Sequence, residues 1–266
     1  MEYLIILIFG LEVGSFANVC IYRWPLNKSI LVPMRSVCPW CQHQIAWYDN
    51  LPVLSFLLLK ARCRNCSADI SWRYPTIEVG LSLLCLVFSF YLVPFEMSPT
   101  LFFKLSILFV VFTLVVTTMT DLDWKIIPDN PLLTLFFLGI IFSPWNPLLN
   151  EGRAIQSIQK SALGALSCAG VLLIISDIGK RCMGREVLGW GDIKLLGAMG
   201  AILGAESGLS ILLVGSLVGG CITSIGLLLG IVKRFQYIPF APFLNVGALT
   251  VLLIKVGSIY GYHFWW

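Results

Sequence analysis

Eight apolar stretches divide this 266-residue sequence, at 3–21, 78–95, 101–120, 131–149, 161–178, 193–206, 207–232 and 240–260. A helix needs about 20 apolar residues to cross a hydrocarbon core. Most of the stretches meet that length; 193–206 is short, and nothing in the sequence fixes its boundary with the next. Charged residues make up only 12% of the chain, against about 25% in a soluble domain, so the chain is read as integral to a membrane. Lipid leaves backbone N–H and C=O groups unpaired, which restricts spanning segments of this length to helices. The expectation is an all-α polytopic membrane protein of about eight transmembrane helices. Only Met1-Glu2-Tyr3 opens the first stretch. Without a basic leader, and too long for the apolar core of a signal peptide, it counts as the first span.

Positive charge sets the orientation. With the amino terminus outside, the inward-facing loops are 22–77, 121–130, 179–192 and 233–239. They hold Arg23, Lys28, Arg35, Lys60, Arg62, Arg64, Arg73, Lys125, Lys180, Arg181, Arg185, Lys233 and Arg234, thirteen of the eighteen Lys and Arg. The positive-inside rule therefore places both termini outside and the long loop 22–77 in the cytoplasm. Basic loops beside an anionic leaflet account for the net charge of +4, and no nucleic-acid partner is expected. Small residues four apart, at Gly200/Gly204, Gly215/Gly219 and Gly226/Gly230, are candidate sites of close helix approach. No internal repeat is apparent.

Loop 22–77 carries two C-x-x-C pairs, Cys38/Cys41 and Cys63/Cys66, with 21 residues between them. Two such pairs supply four thiolates and no open position, the pattern of a structural zinc site. Cytosolic placement agrees, because thiols stay reduced there. The segment Leu51–Leu59 between the pairs is too short to span; it lies in the membrane interface beside Trp47 and Tyr48 or forms a core for the loop. Cys20, Cys85, Cys168, Cys182 and Cys221 lie in or near spans and are expected to pack as small apolar residues.

Ionisable groups near membrane segments are costly and usually functional. On the derived topology Asp121, ending the third stretch, and Asp192, opening the sixth, fall in the same leaflet. Gly189 and Gly191 permit tight backbone approach and an unusual turn at the helix start, and leave room for an extended peptide. Two carboxylates sharing a site do not both ionise readily, so one keeps a proton while the other acts as a base. Such a pair can activate a water against an amide carbonyl and protonate the leaving amine. Duller readings stand beside this one: Asp192 as a helix cap, Asp123 or Asp129 in place of Asp121, and Asp177 in an interfacial ion pair with Lys180. The residues alone do not choose among them.

Taken together, several blocks resemble the type IV prepilin peptidases over nearly the whole chain. They are Gly14-Ser15-Phe16-Ala17-Asn18-Val19, the two C-x-x-C pairs with Trp47–Ser55 between them, Arg73–Glu78, Asp121–Asp129, Gly189–Leu196 and Pro239–Phe243. The resemblance implies that Asp121 and Asp192 are the catalytic aspartates of a GxGD-type membrane protease, and it favours Asp121 over Asp123 and Asp129. It implies cleavage of prepilin or pseudopilin leaders after Gly at the cytoplasmic face of a bacterial inner membrane, with N-methylation of the new terminus from S-adenosylmethionine. It divides the chain into a first span (1–21), a four-cysteine loop domain (22–77) and a multi-span peptidase portion (78–266). No G-x-G-x-x-G fingerprint marks a place for the methyl donor. Two residues depart from the pattern: Glu12, within the first span, and Ala241, where relatives carry Gly in Pro-Phe-Gly-Pro. Rival readings are a leader peptidase without methyl transfer, a non-enzymatic secretion subunit, and a transporter with a paired-Asp cation site. The transporter leaves the cysteine loop unexplained.

Overall fold

The computed structural model describes residues 2–33, 35–92, 101–149, 153–184, 188–233 and 236–259. Arg185 and Arg234 of the basic loops, and the ends of the stretches 78–95 and 240–260, lie outside the described residues. The chain forms two compact units, residues 1–93 and 94–266. Among the described residues the first holds α1 (Glu2–Arg23), α2 (Leu54–Leu58) and α3 (Arg73–Leu92). The second holds α4 (Leu101–Trp124), α5 (Asp129–Ile141), α6 (Ala154–Met183), α7 (Trp190–Leu203), α8 (Ala205–Leu228) and α9 (Ala241–Ile259). No strand occurs among them, only two isolated bridges.

Among the described residues five helices are long and apolar enough to cross a membrane: Tyr3–Arg23, Phe102–Trp124, Ala154–Cys182, Ala205–Leu228 and Ala241–Ser258. The stretches 131–149 and 193–206 become α5 and α7, of 13 and 14 residues. At 1.5 Å per residue each is about 20 Å long, short of a ~30 Å core. Hydropathy measures an apolar run and not where its backbone breaks. The break between α7 and α8 falls at Gly204, whose φ of +83° suits only glycine. Conversely, α4 outlasts its apolar stretch by a turn, because backbone hydrogen bonding continues until Lys125 turns left-handed at φ +54°. Asp121 and Asp123 are therefore helical, not loop residues.

In the first unit α1 lies against α3 at glycines: a Cβ on Gly10 or Gly14 would come within 2.6 Å of the Ser82 or Glu78 Cα. Asn18 extends the seam, donating to the Tyr74 carbonyl at 3.2 Å. Exposed Glu12 lies close enough to buried Glu78 to interact with it electrostatically.

In the second unit α7 is buried along almost its whole length, from Asp192 to Leu203, with Lys194 the outward exception. Of the three glycine pairs, Gly215/Gly219 does place both members against a neighbouring helix, at Phe243 and Leu244 of α9. Gly200 faces Gly164 of α6, whereas Gly204 and Gly230 end helices with positive φ and Gly226 faces Val232. Cys168 of α6 nestles against Gly200 and Gly208. Cys20 and Cys85 are buried as expected, but Cys182 and Cys221 are exposed.

Gly200 is hemmed in by the Gly164 backbone and the Cys168 thiol. Gly200→Val should lower stability by about 1–3 kcal/mol, the range for overpacked cores. Gly170→Ala, within α6 and with nothing within 4 Å of the added Cβ, should not lower it and should add up to about 1 kcal/mol from helix propensity. Thermal unfolding in detergent measures both.

Candidate active site and metal site

The second unit brings two carboxylates together. Asp121 lies in the last turn of α4 and Asp192 in the first turn of α7, only 3% and 5% exposed. They are close enough for the charge on one to act on the other. Their partners differ. Asp121 Oδ2 accepts the Ala241 N–H at 3.1 Å, from the first residue of α9. Asp192 Oδ1 is buried with no hydrogen-bond partner. Gly189, not Asp192, holds the N-cap position, and the Gly189 backbone hydrogen-bonds the Asp192 carboxylate from there.

Neither glycine of Gly189-Trp190-Gly191-Asp192 adopts a left-handed turn, which corrects the expectation of an unusual backbone; Gly189 is extended at φ −74°. Gly191 is needed for closeness. A Cβ there would lie 2.7 Å from Cβ of Ile127, so the connection 125–128 closes over the start of α7. The room beside Gly191 is thus filled by Ile127.

The competing carboxylates fall elsewhere. Asp129 starts α5 and pairs with Lys194 at 2.7 Å, both at the surface. Asp123 is exposed. Asp177 pairs with Arg181 at 2.9 Å, one turn on, and not with Lys180 as the sequence suggested.

Tyr237 escaped the sequence reading. Burial, then the charges of Asp121 and Asp192, raise its hydroxyl above the ordinary phenol range, so it remains an O–H donor beside the pair. Lys125 Nζ sits 5.3 Å from its ring centroid. One turn beyond Ala241, Asn245 shares its amide protons among the Leu114 carbonyl and the Thr117 and Thr118 hydroxyls at 2.8–2.9 Å. It thereby ties α9 to α4 one turn before Asp121. A carboxylate held by a fixed N–H, a second one with one oxygen unpartnered and a nearby phenol can together move protons to and from a water and an amide.

In the first unit Cys38, Cys41, Cys63 and Cys66 converge, their sulfurs all within 4.8 Å of one another. Each C-x-x-C pair sits on the same backbone device. Cys38 N–H donates to His43 O and Cys63 N–H to Ala68 O; Gln42 and Ser67 return bonds to the cysteine carbonyls, both at φ +57°. Bridges Val37–Gln44 and Arg62–Asp69 close the two hairpins. The loop therefore contains a structural repeat of which only the cysteines are visible in sequence.

Tetrahedral zinc with Zn–S bonds of about 2.3 Å sets its sulfurs roughly 3.8 Å apart; Cys38 and Cys66 lie 3.8 Å apart. The Asn65 amide, then the backbone at His43, lower the Cys41 thiol to about 6, toward the thiolate that a metal requires. Backbone hydrogen bonds at Cys66 and Asn65 lower Cys63 as well. The donor set fits zinc. Arg64 locks the second hairpin to the 3-10 turn Trp47–Asp49 by two bonds to Asp49, 2.7 and 2.8 Å.

Comparison with known proteins agrees with this division. The profile of the Bacterial Peptidase A24 N-terminal domain matches residues 8–92, and that of the Type IV leader peptidase family matches residues 107–224. A prepilin leader peptidase/N-methyltransferase of Aeromonas salmonicida (strain A449) is 34% identical over 279 residues, covering 95% of this chain and 91% of the relative. One from Legionella pneumophila is 30% identical over 290 residues, covering 99% and 95%. One from Vibrio cholerae is 34% identical over 219 residues, covering 77% and 80%. No solved structure matches the chain. With relatives of this identity along nearly its full length, the chain belongs to the type IV leader peptidase family.

Proposed function

We infer that this chain is a prepilin leader peptidase and N-methyltransferase, with Asp121 and Asp192 as its catalytic pair. The observation that carries the reading is the meeting of these two buried carboxylates at adjoining helix ends in one unit. The names of the relatives supply the substrate class, prepilins, and the resemblance read from the sequence extends it to type IV prepilins and pseudopilins. The charge distribution favours placing the pair at the cytoplasmic face, and the bacterial relatives favour an inner membrane. The four-cysteine loop 22–77 then lies on that face, between the first span (1–21) and the peptidase portion (78–266).

In cleavage, Asp121, held by the Ala241 N–H, takes a proton from a water lying between the carboxyl groups. The oxygen adds to the carbonyl of the leader glycine. Asp192, which carries the shared proton, first donates a hydrogen bond to that carbonyl. As the tetrahedral adduct collapses, the C–N bond breaks and a proton passes to the leaving nitrogen. The products are a leader ending in a carboxylate and a pilin with a free amine. Tyr237 is placed to donate a hydrogen bond at the mouth of the site. For the second reaction S-adenosylmethionine, when bound, would supply the methyl group that replaces a proton on the new amine and would leave as S-adenosylhomocysteine. Zinc on the four cysteines supplies a structural clamp, since four thiolates leave no position for substrate.

Either Asp121→Asn or Asp192→Asn should abolish cleavage of a prepilin in detergent while zinc content stays normal, because an amide cannot complete the proton cycle. Asp123→Asn, at an exposed position, should keep most activity. Substantial cleavage by either dyad variant would remove that residue from the catalytic pair.

The clamp predicts close to one zinc per chain by elemental analysis. Replacing Cys38 with Cys41, or Cys63 with Cys66, by serine should release it and reduce methylation more than cleavage.

The Ala241 contact makes a sharper demand. Pro at this position removes the N–H yet suits the first residue of a helix; Gly keeps the N–H. Hydrogen bonds to charged groups are worth about 1.5–3 kcal/mol, so Ala241→Pro should cut kcat about ten- to a hundredfold with KM little changed. Ala241→Gly should behave as the parent. Steady-state cleavage assays distinguish the two.

A further inference from the structure

The short helix α2 presents two unlike faces. Ser55 and Phe56 are buried, Phe56 edge-on to Trp72 at 4.8 Å, while Leu54, Leu57 and Leu58 are 51%, 60% and 71% exposed. Spacings of three and four put these leucines on one side of the helix. The neighbouring 3-10 turn, tied to α2 by the Ser55 hydroxyl donating to the Tyr48 carbonyl at 3.0 Å, also exposes Trp47 and Tyr48.

What covers this face follows from its depth. The Val53 N–H at the start of α2 donates to the Glu78 carboxylate at 2.8 Å. Glu78 lies five residues into α3, about 7.5 Å along its axis. At the same level α3 meets Gly14 of α1, a helix of spanning length, nine residues before α1 ends at Arg23. The leading end of α2 is thus held below the ends of two apolar helices, where an exposed leucine face meets lipid. Interfacial helices sit about 5–10 Å into the headgroup–acyl boundary, the depth that the Glu78 bond sets. Trp47, Tyr48 and Trp72 are residues that this boundary favours. Lys60 and Arg62 follow α2 directly and complement an anionic leaflet.

We propose that α2 is an interfacial anchor: Leu54, Leu57 and Leu58 insert into the bilayer that α1 crosses and hold the four-cysteine clamp at the membrane surface. The anchor does not depend on which substrate the chain takes, so its failure is separable from failure of the peptidase reading. The test places a photo-crosslinking benzoylphenylalanine at Leu57 or Leu58 of the full chain in phosphatidylethanolamine–phosphatidylglycerol vesicles. Ile5 of α1 serves as the lipid-facing control and Asp69 as the aqueous one. Irradiation should give lipid adducts at 57 and 58 comparable to those at 5, with none at 69. With the probe at Leu54, the exposed pair Leu57→Ser and Leu58→Ser should lose the adduct while zinc content stays constant. Adducts to a second protein chain, or none at 57 and 58 while 5 reacts, would overturn the proposal.

Discussion

Polar groups buried in a membrane bundle must find their partners inside the protein, because lipid offers none. That constraint is most severe at α7, which lies among α5, α6, α8 and α9 and ends inside the unit. Its terminal carbonyls would be orphans. The Gly200 carbonyl accepts the Gly204 N–H, Ala201 the Ser161 hydroxyl, Ile202 the Asn146 amide and Leu203 the Ser207 hydroxyl. A fully paired carboxyl end fixes the helix against its neighbours. At the opposite end Asp192 Oδ1 is left with no partner. An unpaired acceptor at the start of an otherwise satisfied helix is where a reacting water or carbonyl gains most from binding.

Fixing α7 also requires helices to come close without a hydrophobic force between them, since lipid tails are as apolar as leucine. Glycine supplies the closeness: Gly164 against Gly200, Gly139 against Ala201 and Ile202, and Gly191 against Ile127. The last contact draws the connection after α4 onto the head of α7. Lys125 ends α4 by donating to the Asp121 carbonyl at 3.0 Å, so the same short connection that seats on Gly191 positions Asp121. From the other side, α9 contributes Ala241 to the carboxylate and Asn245 to the turn before it. Asp121 is therefore set by backbone on two sides, and Asp192 by the packing of its own helix.

Much of this arrangement was legible before any coordinates. Charge bias and the edges of the apolar stretches led to Asp121 and Asp192 as neighbours, which the second unit does bring within reach of each other's charge, and the cysteine spacing led to four converging thiols. What stayed hidden shares one cause, that backbone donors and breaks have little signature in side-chain sequence. Ala241 looked like a departure from a Pro-Phe-Gly-Pro motif, yet its contribution is an N–H that Gly supplies equally. Tyr237 lies in a polar connection with no periodicity to single it out. Gly204 breaks α7 from α8 but is one of 23 glycines, and only its φ distinguishes it. The hairpins 37–44 and 62–69 share two cysteines and no other identical position, so a repeat built from hydrogen bonds was invisible. Asp123 and Asp129 were separated from Asp121 by exposure and by the Lys194 pair, which no local pattern encodes.

The two polar centres also divide the chemistry between them. Four thiolates complete the coordination of a tetrahedral metal, so a zinc held by Cys38, Cys41, Cys63 and Cys66 has no position for the water that hydrolysis needs. A metal that lowers the pKa of a bound water does so from an open site. On the proposed reading activation of water therefore falls to the two buried carboxylates Asp121 and Asp192. For a pair to work, its members must differ, one accepting a proton while the other gives one. The asymmetry is built into the fold. The N–H at the head of α9 stabilises negative charge on Asp121, while Oδ1 of Asp192 has no hydrogen-bond partner. On the proposed reading the two carboxylates differ because Asp121 Oδ2 accepts the Ala241 N–H from a neighbouring helix, while Oδ1 of Asp192 has no partner and is open to water or substrate.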